Sequence, residues 1–145
     1  MDYTKGTLWN SATQSEAAMV SKNMYAGDNY VESDLVNSYA WDTAIVYIQA
    51  MENANYANTY DANGTLKNTG KTEDHPCKIF DMSGNSLEYT TEYSKLVIKN
   101  NAKPCIIRGG SCHSANFTCT RGCTGADGND DYEYGISFRT LIYVK

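Results

Sequence analysis

The chain has 145 residues, 41% of them hydrophobic and only two of them proline, which is the size and composition of one folded domain. A formal charge of −5 with only three arginines argues against nucleic-acid binding, which depends on cationic contacts to phosphates. No apolar window is long enough to span a bilayer and the first residues are polar, so we expect neither membrane insertion nor a secretory signal.

Two helices are predicted in the first third of the chain. The pattern Thr13-x-x-Glu16 is a capping box, and it predicts a first helix within residues 12–25. A second helix is predicted over residues 38–52, where apolar side chains recur at helical spacing. The stripe that we expect to form core consists of Trp41, Ala44, Ile45, Ile48 and Met51.

The rest of the chain favours loops and short strands. Residues 53–75 are rich in Asn, Gly, Thr and Asp without an apolar period, which predicts a long surface loop. Short strands are predicted at residues 78–80, 87–91, 105–108 and 136–144. Helices followed by antiparallel strands make an α+β protein.

Three motifs occur in order along the second half of the chain. They are Ile-Phe-Asp-Met-Ser-Gly-Asn-Ser-Leu-Glu-Tyr-Thr at residues 79–90, Arg-Gly-Gly-Ser at 108–111 and Gly-Ile-Ser-Phe-Arg at 135–139. Their order and spacing resemble the formylglycine-generating-enzyme-like (sulfatase-modifying factor) branch of the C-type lectin fold. The resemblance implies a single domain over residues 1–145, with two N-terminal helices packed on short twisted antiparallel strands with long loops.

The first motif carries an expectation about a metal ion. In the family that it resembles this motif holds calcium, and Asp81 and Glu88 match the side-chain ligands while Gly84 and Ser86 match positions that supply backbone carbonyls. Hard oxygen donors of this kind suit Ca²⁺, so a structural calcium ion is the expected cofactor, with no organic cofactor. The alternative is a tight turn at Gly84 and Asn85 with solvated acids.

The enzymes of this family work through two cysteines, three and eight positions beyond the serine of the second motif. Here those positions hold Ser114 and Cys119. A hydroxyl cannot replace a thiolate as a soft copper ligand, so we expect no enzyme activity. The alternative is a copper-dependent oxidase of the formylglycine-generating type, acting on a substrate cysteine with Cys112 and Cys119 as a displaced pair.

Residues 111–137, called here the variable stretch, have an unusual composition. Lys, Gln, Met, Trp and Glu together occur once among these 27 residues, whereas they fill 24 of the other 118 positions. Codons that end in a pyrimidine cannot encode these five amino acids. The composition is therefore typical of codons randomised at the adenines of AAC or AAT triplets, and the alternative is an ordinary surface loop whose composition arose by chance.

The variable stretch is similar to the variable region of diversity-generating retroelement proteins, which phages and prophages often carry. The similarity implies a binding surface for a protein or glycan ligand, on a virion or a cell surface. Aromatic anchors among small polar groups suit such a surface. A zinc site at Cys112, His113, Cys119 and Cys123 is disfavoured by their spacing. The expected ligand-binding residues are Cys112, His113, Ser114, Asn116, Phe117, Thr118, Cys119, Asn129, Asp130, Asp131, Tyr132 and Tyr134.

Overall fold

The computed structural model describes residue 9 and residues 12–57, 65–70, 74–93, 105–110, 124–126 and 136–145, with the backbone alone at 124–126. Over these ranges the chain forms two α-helices, a short 3₁₀ turn and six strands, which confirms the α+β class. In chain order the elements are α1 (Gln14–Asn23), β1 (Val31–Leu35), α2 (Ser38–Met51), the 3₁₀ turn (Pro76–Lys78), β2 (Leu87–Tyr93), β3 (Cys105–Arg108), β4 (Thr124–Ala126), β5 (Ile136–Phe138) and β6 (Thr140–Val144).

Helix α1 begins where the sequence predicts it. The Thr13 hydroxyl accepts a hydrogen bond from the backbone N–H of Glu16 at 3.2 Å, and the Glu16 carboxylate accepts one from the backbone N–H of Thr13 at 2.8 Å. These reciprocal bonds satisfy N–H groups that a helix start leaves without partners, so the predicted capping box is confirmed.

Helix α2 buries one face, as its apolar stripe predicts. Asn37 caps its start by accepting a hydrogen bond from the backbone N–H of Ala40 at 2.9 Å, and Trp41, Ile45 and Ile48 are buried. The expectation that Met51 belongs to this core is wrong, since its side chain is 66% exposed. Ten residues at 3.6 residues per turn bring Met51 about 80° around the helix from Trp41, away from the buried face.

The strands form a four-stranded sheet in the order β4-β3-β2-β5 and a two-stranded sheet of β1 and β6. Strands β2 and β3 are antiparallel, with Tyr89 opposite Ile107. Strand β5 lies parallel to β2, with Tyr89 opposite Phe138, so the larger sheet is mixed rather than antiparallel as expected. A parallel neighbour requires a long connection between the strands, and the chain between them supplies one.

Two groups of buried side chains hold these layers together. The first lies between α1, β1 and the larger sheet, and the second lies between α2 and the segment that precedes β2. The first group is Ala17, Leu35, Tyr89, Cys105, Ile107 and Ile136. The second group is Val36, Trp41, Ile45, Ile48, Tyr56 and Met82.

Two strand predictions need correction, and strands β1 and β4 lie where no strand was predicted. Residues 78–80 form no strand, because Cys77 and Lys78 have φ angles of 52° and 61° and belong to the 3₁₀ turn. The run at 136–144 is divided at Arg139 into β5 and β6, which lie in different sheets. Strand β1 was not predicted because it is mostly polar and buries Ser33, whose hydroxyl donates to the Ser21 carbonyl at 2.6 Å.

The described parts of residues 53–75 contain no helix or strand, in agreement with the predicted loop. Among the described helices, none combines the length and the apolar character needed to cross a membrane.

Candidate functional site

The first motif folds into a loop that leads directly into β2. This motif loop, residues 79–86, contains three residues with positive φ, namely Asp81 at 55°, Gly84 at 87° and Asn85 at 63°. Asp and Asn tolerate this left-handed conformation better than most residues do. The Asp74 carboxylate accepts a hydrogen bond from the Ser83 backbone N–H at 2.8 Å, and the Asp74 carbonyl accepts one from that of Asp81 at 2.8 Å. The loop is therefore held by backbone geometry as well as by side chains.

The second motif joins the motif loop at the start of the variable stretch. The backbone N–H of Gly84 donates to the Gly109 carbonyl at 2.7 Å. Gly109 has a φ of 95°, and a side-chain carbon added there would lie 3.5 Å from the Ser86 carbonyl oxygen. Only glycine takes this φ without strain, so the Arg-Gly-Gly sequence allows β3 to end against the motif loop immediately before residue 111.

The third motif joins the same loop at the end of the variable stretch. Arg139 donates from Nε and Nη2 to the two Glu88 carboxylate oxygens, at 2.6 and 2.5 Å. Its Nη2 also donates to the carbonyls of Phe80 and Asp81, both at 3.2 Å. The Glu88 side chain is only 7% exposed, so this bidentate pair fixes the chain just after β5 to β2, and the two carbonyl bonds fix it to the motif loop.

The arginine of the second motif is a second buried cation. The Arg108 side chain is fully buried, its guanidinium lies 4.5 Å from the centre of the Trp41 ring, and it forms an ion pair with Asp42. Stacking on an indole ring and pairing with a carboxylate both offset the loss of hydration. This arrangement ties β3 to α2, and its role is structural.

The pKa shifts near the motif loop follow from burial and from charge pairing. Burial raises the pKa of Asp74, although the hydrogen bonds from Ser83 and Tyr56 oppose the shift. Burial and the neighbouring Asp74 carboxylate raise the pKa of the Tyr56 hydroxyl, which donates to both Asp74 oxygens at 2.8 Å. Burial alone would lower the pKa of Arg139, but the ion pair and hydrogen bonds with Glu88, together with the nearby Asp81 and Tyr56, raise it. Arg139 and Tyr56 are thus fully protonated at neutral pH.

The carboxylates that are expected to bind calcium accept hydrogen bonds from protein donors. The two Glu88 oxygens accept from Arg139, and Asp81 Oδ2 accepts from the Gly70 backbone N–H at 2.9 Å. The Ser86 hydroxyl donates to the Leu87 carbonyl at 3.1 Å. No group of three or more His, Cys, Asp or Glu side chains that could hold a metal occurs in the described part of the chain. Arg139 supplies the positive charge beside Glu88, and calcium binding stays a prediction.

The predicted ligand-binding residues lie outside the described residues, as do the alternative copper pair and the disfavoured zinc set. They all fall within residues 112–123 and 129–134, which belong to the variable stretch. Two residues at the end of that stretch are described, and both Ile136 and Ser137 are buried in β5. Ile136 and Ser137 therefore belong to the core of the sheet and not to an exposed surface.

A pocket of about 350 Å³ lies beside the motif loop, next to the end of the variable stretch. Its lining includes Lys78, Phe80, Phe138 and Arg139. Sequence reasoning missed this pocket because Phe80 was assigned to a strand and Arg139 only to a motif. The first and third motifs each contain a phenylalanine, and proximity of the two motifs in the fold would have indicated a shared apolar site.

Comparisons of the chain with protein-family models, with curated proteins and with solved structures found no match. Function is therefore inferred from the contacts within this chain and from its sequence motifs.

Proposed function

We propose that this protein binds a protein or glycan ligand through residues 111–134, and that a diversity-generating retroelement rewrites this part of its sequence. In this proposal the domain has the C-type lectin fold of the formylglycine-generating-enzyme-like branch and catalyses no reaction. In this proposal the protein lies on a virion or a cell surface, where a binding region of variable sequence contacts ligands that also vary.

The observation that carries the proposal is the anchoring of both ends of the variable stretch to one loop. Gly109, two residues before the stretch, accepts a hydrogen bond from Gly84, and Arg139, two residues after it, binds Glu88 and two motif-loop carbonyls. Strands β3 and β5 flank β2 on its two sides. A framework that holds both ends of a long segment by its own contacts does not depend on the side chains between them.

The backbone of β4 adds a further anchor inside the stretch. Thr124 and Ala126 pair with Ile106 and Cys105 of β3. Backbone pairing depends little on side-chain identity, so this contact supports a segment whose sequence changes while its path is kept.

The decisive test of diversification is the surrounding DNA. We expect a near-copy of the codons for residues 111–137, differing from the gene only where the copy carries adenine, next to a reverse-transcriptase gene. A complete genome sequence without such a copy would remove the retroelement from the proposal.

The test of tolerance is a fourfold variant with alanine at His113, Asn116, Asp130 and Tyr132. If these side chains face solvent, the free energy of unfolding stays within about 1 kcal/mol of the unchanged protein. As a control, Ile107→Ala in β3, where the side chain is 3% exposed, costs about 2–5 kcal/mol in the same assay. Loss of folding in the fourfold variant would show that the stretch is core.

The oxidase alternative has its own test. Copper-dependent oxidation of a cysteine-containing peptide that is lost on Cys119→Ser would replace the binding proposal by an enzyme.

A further inference from the structure

The pocket beside the motif loop is lined by two aromatic and two cationic side chains, together with the carboxylates of Asp81 and Glu88. Phe80 is 43% exposed and Phe138 is partly buried, and both line the pocket. Arg139 also lines it, and its guanidinium side chain is 24% exposed. Lys78 is exposed at the same pocket. The site thus combines apolar surface with two cations.

Most of the acceptors that line the pocket are already bound by protein donors. Both Glu88 oxygens accept from Arg139, and the buried Asp81 carboxylate accepts from the Gly70 backbone N–H. The Asn85 amide oxygen accepts from the Lys67 backbone N–H at 2.9 Å. The pocket therefore has few acceptors left that could bind hydrogen-bond donors of a ligand.

The two serine hydroxyl groups of the pocket are also occupied. Those of Ser86 and Ser137 both donate to the Leu87 carbonyl, at 3.1 and 3.2 Å. A hydroxyl has a single hydrogen, so neither group has a further donor for a ligand. The remaining side-chain donors are the Thr69 hydroxyl and the two cationic side chains, of which the cations form the stronger bonds to an anion.

Two cationic donors remain available to a ligand. Arg139 uses Nε and Nη2 for Glu88 and the motif-loop carbonyls, which leaves the two N–H groups of Nη1 without an acceptor among the described residues. The Lys78 ammonium likewise has no bonded partner in the described part of the chain. Cationic donors form their strongest hydrogen bonds with anionic oxygen atoms.

We infer that this pocket binds a carboxylate that is attached to an apolar or aromatic group of a protein ligand. Arg139 Nη1 and Lys78 bind the carboxylate, and Phe80 and Phe138 contact the apolar group. The inference rests on the proposed binding function, since the pocket would be its constant part beside a variable surface. The carboxylate can belong to a chain terminus or to an acidic side chain.

The test uses four short peptides in NMR titrations of the whole protein. Acetyl-Ala-Phe with a free C-terminal carboxylate is compared with its C-terminal amide, and acetyl-Phe-Glu-amide is compared with acetyl-Phe-Gln-amide. At least one acid should bind with a Kd at least tenfold below that of its neutral partner, and its resonance shifts should include the Arg139 Nε–H. The better acid identifies the source of the carboxylate.

Two charge-matched variants separate the pocket from general electrostatics. Lys78→Met should weaken binding of the preferred acid at least threefold, whereas Lys22→Met, which removes the same charge from the last turn of α1, should not. Equal Kd values for both acids and their neutral partners, or equal effects of the two variants, would overturn the inference. Neither result bears on the retroelement, which the DNA tests separately.

Discussion

Replacement of Arg139 by methionine tests the contact that holds the end of the variable stretch. The change keeps an apolar stem but removes four hydrogen bonds, two to Glu88 and one each to the Phe80 and Asp81 carbonyls. It leaves a carboxylate that is 7% exposed without its cation. Breaking a buried ion pair from one side costs about 3–5 kcal/mol. Because the guanidinium is 24% exposed, we expect a loss at the lower end, about 3 kcal/mol.

The assay is equilibrium unfolding in urea. With a slope of about 2 kcal/mol per molar, the loss moves the midpoint down by about 1.5 M. Glu88→Gln, which keeps one acceptor oxygen, should cost about 1–2 kcal/mol. The double variant should cost less than the sum by at least about 1 kcal/mol, since the partners contact each other. Glu32→Gln, at the exposed position of β1, is the control and should stay within about 0.5 kcal/mol.

The reasoning is refuted if Arg139→Met stays within about 1 kcal/mol of the unchanged protein, or if the two single losses simply add. Should Arg139→Met fail to fold, Arg139→Lys provides the measurement. Lysine keeps the charge but cannot make the bidentate contact, so a loss of about 1–2 kcal/mol is expected.

Two further predictions concern calcium and pH. The predicted calcium ion has a direct test: calcium at a hundred times its Kd, in place of a chelator, should add about 2.7 kcal/mol and raise the melting temperature by several degrees, and a change of less than about 1 °C would show that Arg139 keeps both Glu88 oxygens. The hydrogen bond from the Thr13 backbone holds the pKa of Glu16 below its ordinary value of 4.5, so the stabilisation by Glu16 is present above that pH and is lost as pH falls through the lowered pKa. The difference in melting temperature between the unchanged protein and Glu16→Gln should accordingly shrink from pH 7 to pH 3, and a constant difference would contradict the assignment.

Local signals predicted the elements whose hydrogen bonds lie within a few residues. Thr13 and Glu16 are three residues apart, and Asn37 caps α2 three residues before Ala40, so both helix starts are readable from the chain. The strand at 105–108 was predicted with the observed bounds because four residues without a turn former favour an extended run. The strand predictions were wrong where the backbone conformation differs from the one that residue propensity favours, as at Lys78 in the 3₁₀ turn.

The candidate site was predicted only in part. Its motif residues were identified, but the ion pair of Glu88 with Arg139, 51 residues away, was not. Phe80 was assigned to a strand, and its position at the pocket follows from the loop that replaces that strand. Pairing between side chains so far apart in sequence has no local signal.

The amino-acid sequence by itself determined the α+β class, the two helices and the positions of β2 and β3, because caps, apolar periods and β-propensity act between near neighbours. Only the tertiary structure decided that β5 returns parallel to β2, that Arg139 provides the cation beside Glu88, and that both ends of the variable stretch meet one loop. These three features depend on contacts between segments that are far apart in the sequence. A buried charge is stable only beside a partner, and the completed fold brings that partner to it.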